Sequence, residues 1–376
     1  MGIYILILII TVFTHWHWFN GLSILTSGDW NYQSAITLKE FLALPQLWSA
    51  TSLGVVNVTA AFYPFQLIYG LLANANLSYG LIERIVFMWP IVFVSAFASY
   101  FLIKKNINNS LAAFVGSLIY SYNTYFLSIQ AGHLTLMAAF AFAPLVLLFF
   151  QKTLELKKLQ HVLLTGLLLF IVSFYEFRVL YIVVFILGFY YLYYQFILEK
   201  QSLRKTYLKN ALYAVTPIII VGILNLYWLL GFLNMGTLAT NAFFSRSLFG
   251  NEFLNINYAF ALFHPFWTGG LTTEFIQQPI PFSFWILPFA AFFGLILQRK
   301  NPNVLFFGIL ALLGLLLTKQ VGQPFSDLYL WLYEHFPGFN AYREASKFYF
   351  LIALGYSVLI AAFIDWLWKN WRQMLS

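Results

Sequence analysis

The sequence predicts an all-α fold, a polytopic bundle of about ten transmembrane helices. Three observations favour this class. Of the 376 residues, 61% are hydrophobic and only 9% are charged, which is far from the balance of a soluble domain. Several apolar runs approach the roughly 20 residues that cross a bilayer. The alternating pattern of a membrane β-barrel is missing, and helices satisfy their own backbone hydrogen bonds in lipid.

The apolar runs are the predicted spans, and we expect them to form a single transmembrane domain over residues 1–376. In chain order they are 2–19, 81–103, 111–128, 134–151, 160–175, 178–198, 211–233, 282–298, 303–318 and 347–368. The apolar region 160–198 is too long for one span, so Glu176 and Arg178 in its middle predict a tight turn between antiparallel helices. Residues 53–72 contain polar side chains and a proline, which predicts an interfacial or re-entrant helix pair.

The distribution of basic residues predicts the orientation, because basic loops stay cytoplasmic. With the first loop outside, 13 of the 20 Lys and Arg residues lie inside, against 3 of the 12 Asp and Glu residues. Both termini are then cytoplasmic, and the chain is an integral protein of the cell membrane. The long connections 20–80, 234–281 and 319–346 all fall on the outer face, which is therefore the expected active face.

Composition also excludes several classes of function. The net charge of +8 follows the topology and forms no basic run for nucleic acid. Without cysteine there are no disulfides and no thiolate chemistry. The sequence has no GxxxxGK[ST] loop for nucleotide phosphates and no metal-ligand spacing, so no metal site is predicted.

Two stretches on the predicted outer face contain charged residues that are candidates for catalysis or anion binding. The first, LTSGDWNYQS, places Asp29 just after an apolar run, either as a functional carboxylate or as an ordinary turn residue. The second, FNAYREASKFYF, spaces Arg343 and Lys347 four apart, so that on a helix they would share a face at the start of the last span. Cations at a helix N-terminus favour an anion, although Glu344 offsets part of the charge. The alternative is that both basic side chains snorkel to the interface.

Several stretches together resemble the GT-C superfamily of membrane glycosyltransferases, especially its arabinofuranosyltransferase-like and related bacterial branches. The matching stretches are TSGDW, SLGVVNVTAAFYPFQLIYGLL, LIERIVFMWP, AGHLTLMAAFAFAPLVLLFF and FNAYREASKFYF. The resemblance implies a GT-C-like fold, a polyprenyl-phosphate sugar donor and a glycan or lipid-linked acceptor. It implies that the carboxylate of Asp29 serves the chemistry and that Arg343 and Lys347 hold the donor phosphate, with Arg84 as a further phosphate contact. The chain departs from the pattern because Asp29 has no adjacent second carboxylate and because no soluble carbohydrate-binding module follows the last helix.

The predicted reaction displaces polyprenyl phosphate from an anomeric carbon. It needs a base for the acceptor hydroxyl and cations for the leaving phosphate. A single carboxylate opposite the leaving group predicts inversion. The alternatives are an O-antigen ligase or polymerase-like enzyme, and a lipid-linked saccharide transporter or flippase. A transporter favours mid-span charges and two similar halves, whereas the charges here gather at one face.

Six further residues are candidates for lining the site. They are Glu83, His133, Glu176, Arg178, His264 and Trp267. For Glu176 and Arg178 the alternative is a mutual surface pair at a turn, and for Trp267 it is a place in the interfacial aromatic belt. The carboxylates of Asp29, Glu83 and Glu176 leave open whether the enzyme needs a divalent cation; no other cofactor is predicted.

Overall fold

The computed structural model describes residues 2–24, 34–49, 55–130, 132–199, 204–234, 249–250, 254–264 and 279–375. Over these residues the chain is helical, apart from turns and a two-residue antiparallel pairing of β1 (Trp48–Ser49) with β2 (Val55–Val56). The predicted helical fold class is therefore confirmed in its coarse form.

The α-helices of the described part are numbered in chain order. They are α1 (Gly2–Thr14), α2 (Ala35–Glu40), α3 (Tyr63–Asn74), α4 (Tyr79–Glu83), α5 (Trp89–Ile107), α6 (Ser110–Ser121), α7 (Thr124–Ile129), α8 (Leu134–Leu156), α9 (Leu159–Tyr175), α10 (Phe177–Tyr193), α11 (Arg204–Leu224), α12 (Leu226–Asn234), α13 (Ile256–Phe260), α14 (Ile286–Leu297), α15 (Pro302–Thr318), α16 (Ser326–His335) and α17 (Tyr349–Leu375). A π turn, Arg84–Met88, joins α4 to α5 in one continuous helix.

By length and apolar composition, five helical stretches of the described chain can cross a membrane. They are Tyr79–Ile107, Leu134–Leu156, Phe177–Leu198, Tyr207–Leu224 and Ala345–Met374. The remaining predicted runs also lie on apolar helices, but these are shorter: α15, with 17 residues, rises only about 25 Å, less than the roughly 30 Å of a bilayer core. The membrane character of the chain is thus supported, while the count of ten spans is not confirmed.

The chain divides into two compact units. Unit 1 consists of Met1–Ile10, Ser95–Gln130 and Phe244–Ser376, and unit 2 consists of Thr11–Val94 and Ala131–Phe243. The expectation of a single transmembrane domain stays a prediction.

The last helix forms the core of unit 1. The first half of α17 is almost entirely buried, and the helix packs against α6, α14 and α15. Glycines lie at the crossings: a Cβ on Gly116 would overlap the carbonyl oxygen of Ser357, and a Cβ on Gly294 would overlap that of Leu359. Small residues of this kind let helix backbones approach closely, which is how helices associate in lipid.

Unit 2 is built on the hairpin of α8 and α9. The hairpin closes through Lys157, which takes the left-handed conformation with φ 53°. Across it the hydroxyl oxygens of Thr153 and Thr165 lie 3.2 Å apart within hydrogen-bond reach. Helix α9 also packs against α11. Gly166 contacts Ile220 and Ser173 is hydrogen-bonded to Asn225, so α9 and α11 run parallel, whereas α8 and α9 are antiparallel.

The polar segment 53–72 is helical only in part. Its residues 58–62 form a 3₁₀ helix that leads into α3, and Asn57 caps this helix by accepting a hydrogen bond from the backbone N of Thr59 (3.2 Å). Residues 55–56 belong to β2 instead, so helical structure starts later than expected. Pro64 fits because it lies in the first turn of α3, where no helical N–H is needed.

Candidate functional site

The predicted site residues are distributed over both units. Asp29 and Trp267 lie outside the described residues, so their roles stay sequence predictions. Unit 2 contains Glu83, Arg84, His133, Glu176 and Arg178, and unit 1 contains His264, Arg343 and Lys347.

Arg84 is wholly buried in the π turn. Its Nε donates to the carbonyl oxygen of Trp18 (3.0 Å), and its Nη1 donates to those of Ser23 (2.9 Å) and Gly80 (2.6 Å). A Cβ at Gly80 would overlap the backbone of the 18–23 segment, so glycine is needed for this approach. The guanidinium therefore fastens the segment that precedes Asp29, and those two nitrogens donate to backbone carbonyls instead of facing a headgroup.

Glu83 lies inside a continuous helix of unit 2, and His133 lies just before another helix of that unit. Glu83 is the last residue of α4 and is completely buried. His133 is half-buried just before α8, and its side chain does not cap that helix. Both positions are compatible with structural roles, and lining a site stays a prediction for each.

Glu176 and Arg178 form a bidentate ion pair. Arg178 Nε donates to Glu176 Oε1 (2.8 Å), and Nη2 donates to Oε2 (2.7 Å). Glu176 is the only residue between α9 and α10, and its Oε1 also accepts the backbone N–H of Arg178 (3.2 Å). The predicted tight turn is confirmed. Two residues spaced two apart do not face each other on a helix. Glu176, however, has an extended backbone and precedes the first turn of α10, so its carboxylate can reach the guanidinium of Arg178.

The turn at Glu176 lies next to the π turn. Tyr175, the last residue of α9, donates its hydroxyl to the carbonyl oxygen of Val86 (2.7 Å). Its ring also stacks on Phe65, with the ring centroids 6.1 Å apart, and packs against Phe87. Within unit 2 the turn at Glu176 and the π turn that contains Arg84 are therefore neighbours.

His264, a candidate for lining the site, lies in the interior of unit 1. Its ring packs edge-on against Tyr125 and Tyr349, with centroids 5.1 and 5.2 Å away, and its backbone N donates to Thr124 Oγ1 (2.7 Å). Burial lowers the pKa of His264 to about 3, because an imidazolium would be desolvated there. The neutral ring is thus part of the packed interior.

Arg343 and Lys347 do not share a helical face, because Arg343 precedes the 3₁₀ turn Ala345–Phe348 that leads into α17. They converge instead on Glu344. Lys347 is buried, and its Nζ lies 2.5 Å from Glu344 Oε2. Arg343 Nε lies 3.9 Å from Oε1, and 38% of the Arg343 side chain is exposed.

The loop that presents these charges is held by neighbouring side chains. Gln320 Nε2 donates to the carbonyl oxygen of Arg343 (2.8 Å), and the Tyr329 hydroxyl donates to that of Tyr342 (2.5 Å). Burial raises the pKa of Tyr329, so its hydroxyl remains a donor. Lys319, next to Gln320, is also buried. We call these charged and amide residues the Glu344 cluster: Lys319, Gln320, Arg343, Glu344 and Lys347.

Lys319 and Gln320 were not among the residues predicted from the sequence. The one signal for them was a charged residue placed directly after the apolar run 303–318. Within the described ranges, no group of three or more His, Asp or Glu side chains is arranged to hold a metal ion. Comparisons with protein-family models, with curated proteins and with solved structures found no match to this chain.

Proposed function

We propose that this protein is a membrane glycosyltransferase of the GT-C type. It moves a sugar from a polyprenyl-phosphate donor to a glycan or lipid-linked acceptor at the outer face of the cell membrane. The observation that supports this most directly is the Glu344 cluster, in which a buried lysine and a partly exposed arginine meet one carboxylate at the end of an apolar helical unit. Arginine and lysine together suit a phosphate group.

The chemistry assigns different tasks to the named residues. Arg343, partly exposed, offers its guanidinium to the donor phosphate, while Lys347 orders the loop through Glu344 and adds positive potential. Asp29 takes the proton of the acceptor hydroxyl. With a single carboxylate as base, transfer is a direct displacement and inverts the anomeric carbon.

The outer location rests on the distribution of charge. The basic residues at the helix ends and turns 104–109, 152–158 and 298–301 favour the cytoplasmic side. The loop of the Glu344 cluster is then outside, and both termini are cytoplasmic.

Sugar transfer by purified protein in lipid tests the proposal. The substrates are radiolabelled polyprenyl-phosphate sugars, and Asp29→Asn is compared with wild type. The control is Asp327→Asn, which alters an exposed carboxylate at the start of α16. We expect transfer by the wild type and the control, and loss of transfer with retained donor binding in Asp29→Asn.

Two other results have distinct meanings. Unchanged transfer in Asp29→Asn would make Asp29 a turn residue and leave the enzyme class standing. No transfer by the wild type from any donor would reject the proposal. A parallel assay with a chelator measures whether transfer depends on a divalent cation.

A further inference from the structure

Lys319 is a buried cation with a single hydrogen-bond acceptor among the residues that the structure describes. Only 1% of its surface is exposed, and its Nζ donates to the carbonyl oxygen of Gly322 (2.6 Å). No carboxylate of the described chain lies within ion-pair distance of this nitrogen. An ammonium can donate three hydrogen bonds, so most of its capacity is unused.

The position of Lys319 at the end of α15 does not account for its burial. A helix C-terminus does favour a cation, but that stabilisation is much smaller than the cost of removing an ammonium from water. In keeping with this cost, burial lowers the pKa of Lys319. A buried lysine with no carboxylate of the described chain nearby is therefore a candidate for binding an anion.

Lys319 lies beside the charged loop. Gln320 bonds the backbone of Arg343, which joins the two segments directly. The packing of α15 on α17 gives the same result: Gly314 faces Ile352, so the end of α15 is level with the turn that contains Lys347. The hydroxyl of Thr318, the residue before Lys319, is fully buried and has no hydrogen-bond partner in the described structure.

The Glu344 cluster contains three cationic side chains and one carboxylate, and Lys319 has no carboxylate of the described chain within ion-pair distance. We propose that Lys319 and Arg343, with the Thr318 hydroxyl, bind the phosphate group of a phosphoester. Arg343 supplies the exposed entry to this site and Lys319 its buried end. The identity of the ligand as a lipid-linked phosphate rests on the proposed function, whereas the binding of phosphate does not.

Direct binding to the full chain in detergent tests this proposal. The probes are a polyprenyl monophosphate and inorganic phosphate. Lys319→Met removes the charge and keeps the stem, and Lys300→Met is the matched control, because Lys300 is an exposed lysine of the same unit. We expect Lys319→Met to weaken binding about tenfold or more, as loss of a charge-assisted hydrogen bond does, and Lys300→Met to leave it unchanged.

The two probes distinguish the source of the phosphate. Binding of both probes, each weakened by Lys319→Met, supports a site for phosphate itself; binding of the polyprenyl form alone supports a lipid-linked ligand. We also expect ligand-free Lys319→Met to unfold at a higher temperature than the wild type, because it no longer buries an unpaired charge.

The proposal is overturned if the wild type binds neither probe, or if folded Lys319→Met binds as tightly as wild type. If Lys319→Met fails to fold, Arg343→Gln decides, since this exposed position tolerates the change; unchanged phosphate binding there overturns the proposal. Phosphate binding without sugar transfer from any donor would reject the proposed function alone.

Discussion

At the scale of single residues, backbone position decides which charges meet. Glu176 and Arg178 pair because Glu176 lies just outside the helix in which Arg178 occupies the first turn. Arg343 and Lys347 would share a face on a continuous helix, yet Arg343 precedes the helical turn and both approach Glu344. In each case the spacing in the sequence identified the charged residues but not their pairing.

The buried imidazole of His264 gives a prediction for the pH dependence of stability. Its pKa is lowered to about 3 in the fold, whereas the unfolded chain takes up the proton near pH 6.5. Acidification therefore favours the unfolded state, and stability is lost as the pH falls below the unfolded pKa. Between about pH 7.5 and about pH 5.5 the loss from this group is about 1.4 kcal/mol.

Unfolding in detergent at several pH values measures the effect of His264. We expect His264→Leu to lose less stability than wild type over this range. The control variant His335→Leu changes an exposed histidine on α16 and should keep the wild-type response. An identical acid response in His264→Leu would contradict the burial of a neutral ring.

At the scale of helices, glycines set the distance between packed backbones. We expect Gly294→Ala to lower the free energy of unfolding by about 2 kcal/mol or more, because its Cβ would overlap the Leu359 carbonyl oxygen at the crossing of α14 and α17. The control is Gly188→Ala on α10, where nothing lies within 4 Å of the added carbon. That change should be neutral or stabilising by about 0.5–1 kcal/mol. Equal stabilities of the two variants would show that α14 and α17 do not approach this closely.

A buried carboxylate joins three helices at the opposite end of α17 from the Glu344 cluster. Asp365 accepts hydrogen bonds from Asn109 Nδ2 (2.9 Å), at the start of α6, and from Gln298 Nε2 (3.1 Å), at the end of α14. Lys369 Nζ also donates to it (2.7 Å), but that side chain is largely exposed.

Replacing the two partners of this ion pair should have unequal effects. We expect Asp365→Ala to cost about 1–3 kcal/mol, because it removes an acceptor of the Asn109 amide and one of the two acceptors of the Gln298 amide, both of which are half-buried. Lys369→Met should cost less than about 1 kcal/mol, as for exposed ion pairs. Chemical unfolding in micelles measures both, and a larger cost for Lys369→Met would contradict this account.

At the scale of the whole molecule, the distribution of Lys and Arg predicts how the chain is oriented in the membrane, and this orientation can be tested. The chain has no cysteine, so a single introduced cysteine is its only thiol. We expect a membrane-impermeant maleimide to label Phe336→Cys, between α16 and α17, on intact cells. Lys300→Cys, between α14 and α15, should react only after permeabilisation. The reverse labelling would place the Glu344 cluster on the cytoplasmic side and contradict the proposed outer site.

Most of the helical fold was predictable from the sequence, and the candidate site was predictable only in part. Every predicted apolar run is mostly helical, since hydrophobic length and backbone hydrogen bonding are local properties, although the runs 111–128 and 211–233 are each divided between two helices. Arg343, Lys347, Glu176 and Arg178 were identified because charges are rare among apolar residues. Lys319 was missed because its burial depends on how α15 packs against the start of α17.

The sequence alone determined the helical, apolar character of this protein, the approximate positions of most of its helices and the list of rare charges, because each depends on composition and short-range order. Only the tertiary structure decided what those charges contact. It directed Arg84 to backbone carbonyls, paired Glu176 with Arg178, enclosed His264 among aromatic rings and brought Lys319 next to the loop of Arg343. The physical reason is that burial and hydrogen-bond partners come from segments distant in the chain, and no local pattern encodes which segments will meet.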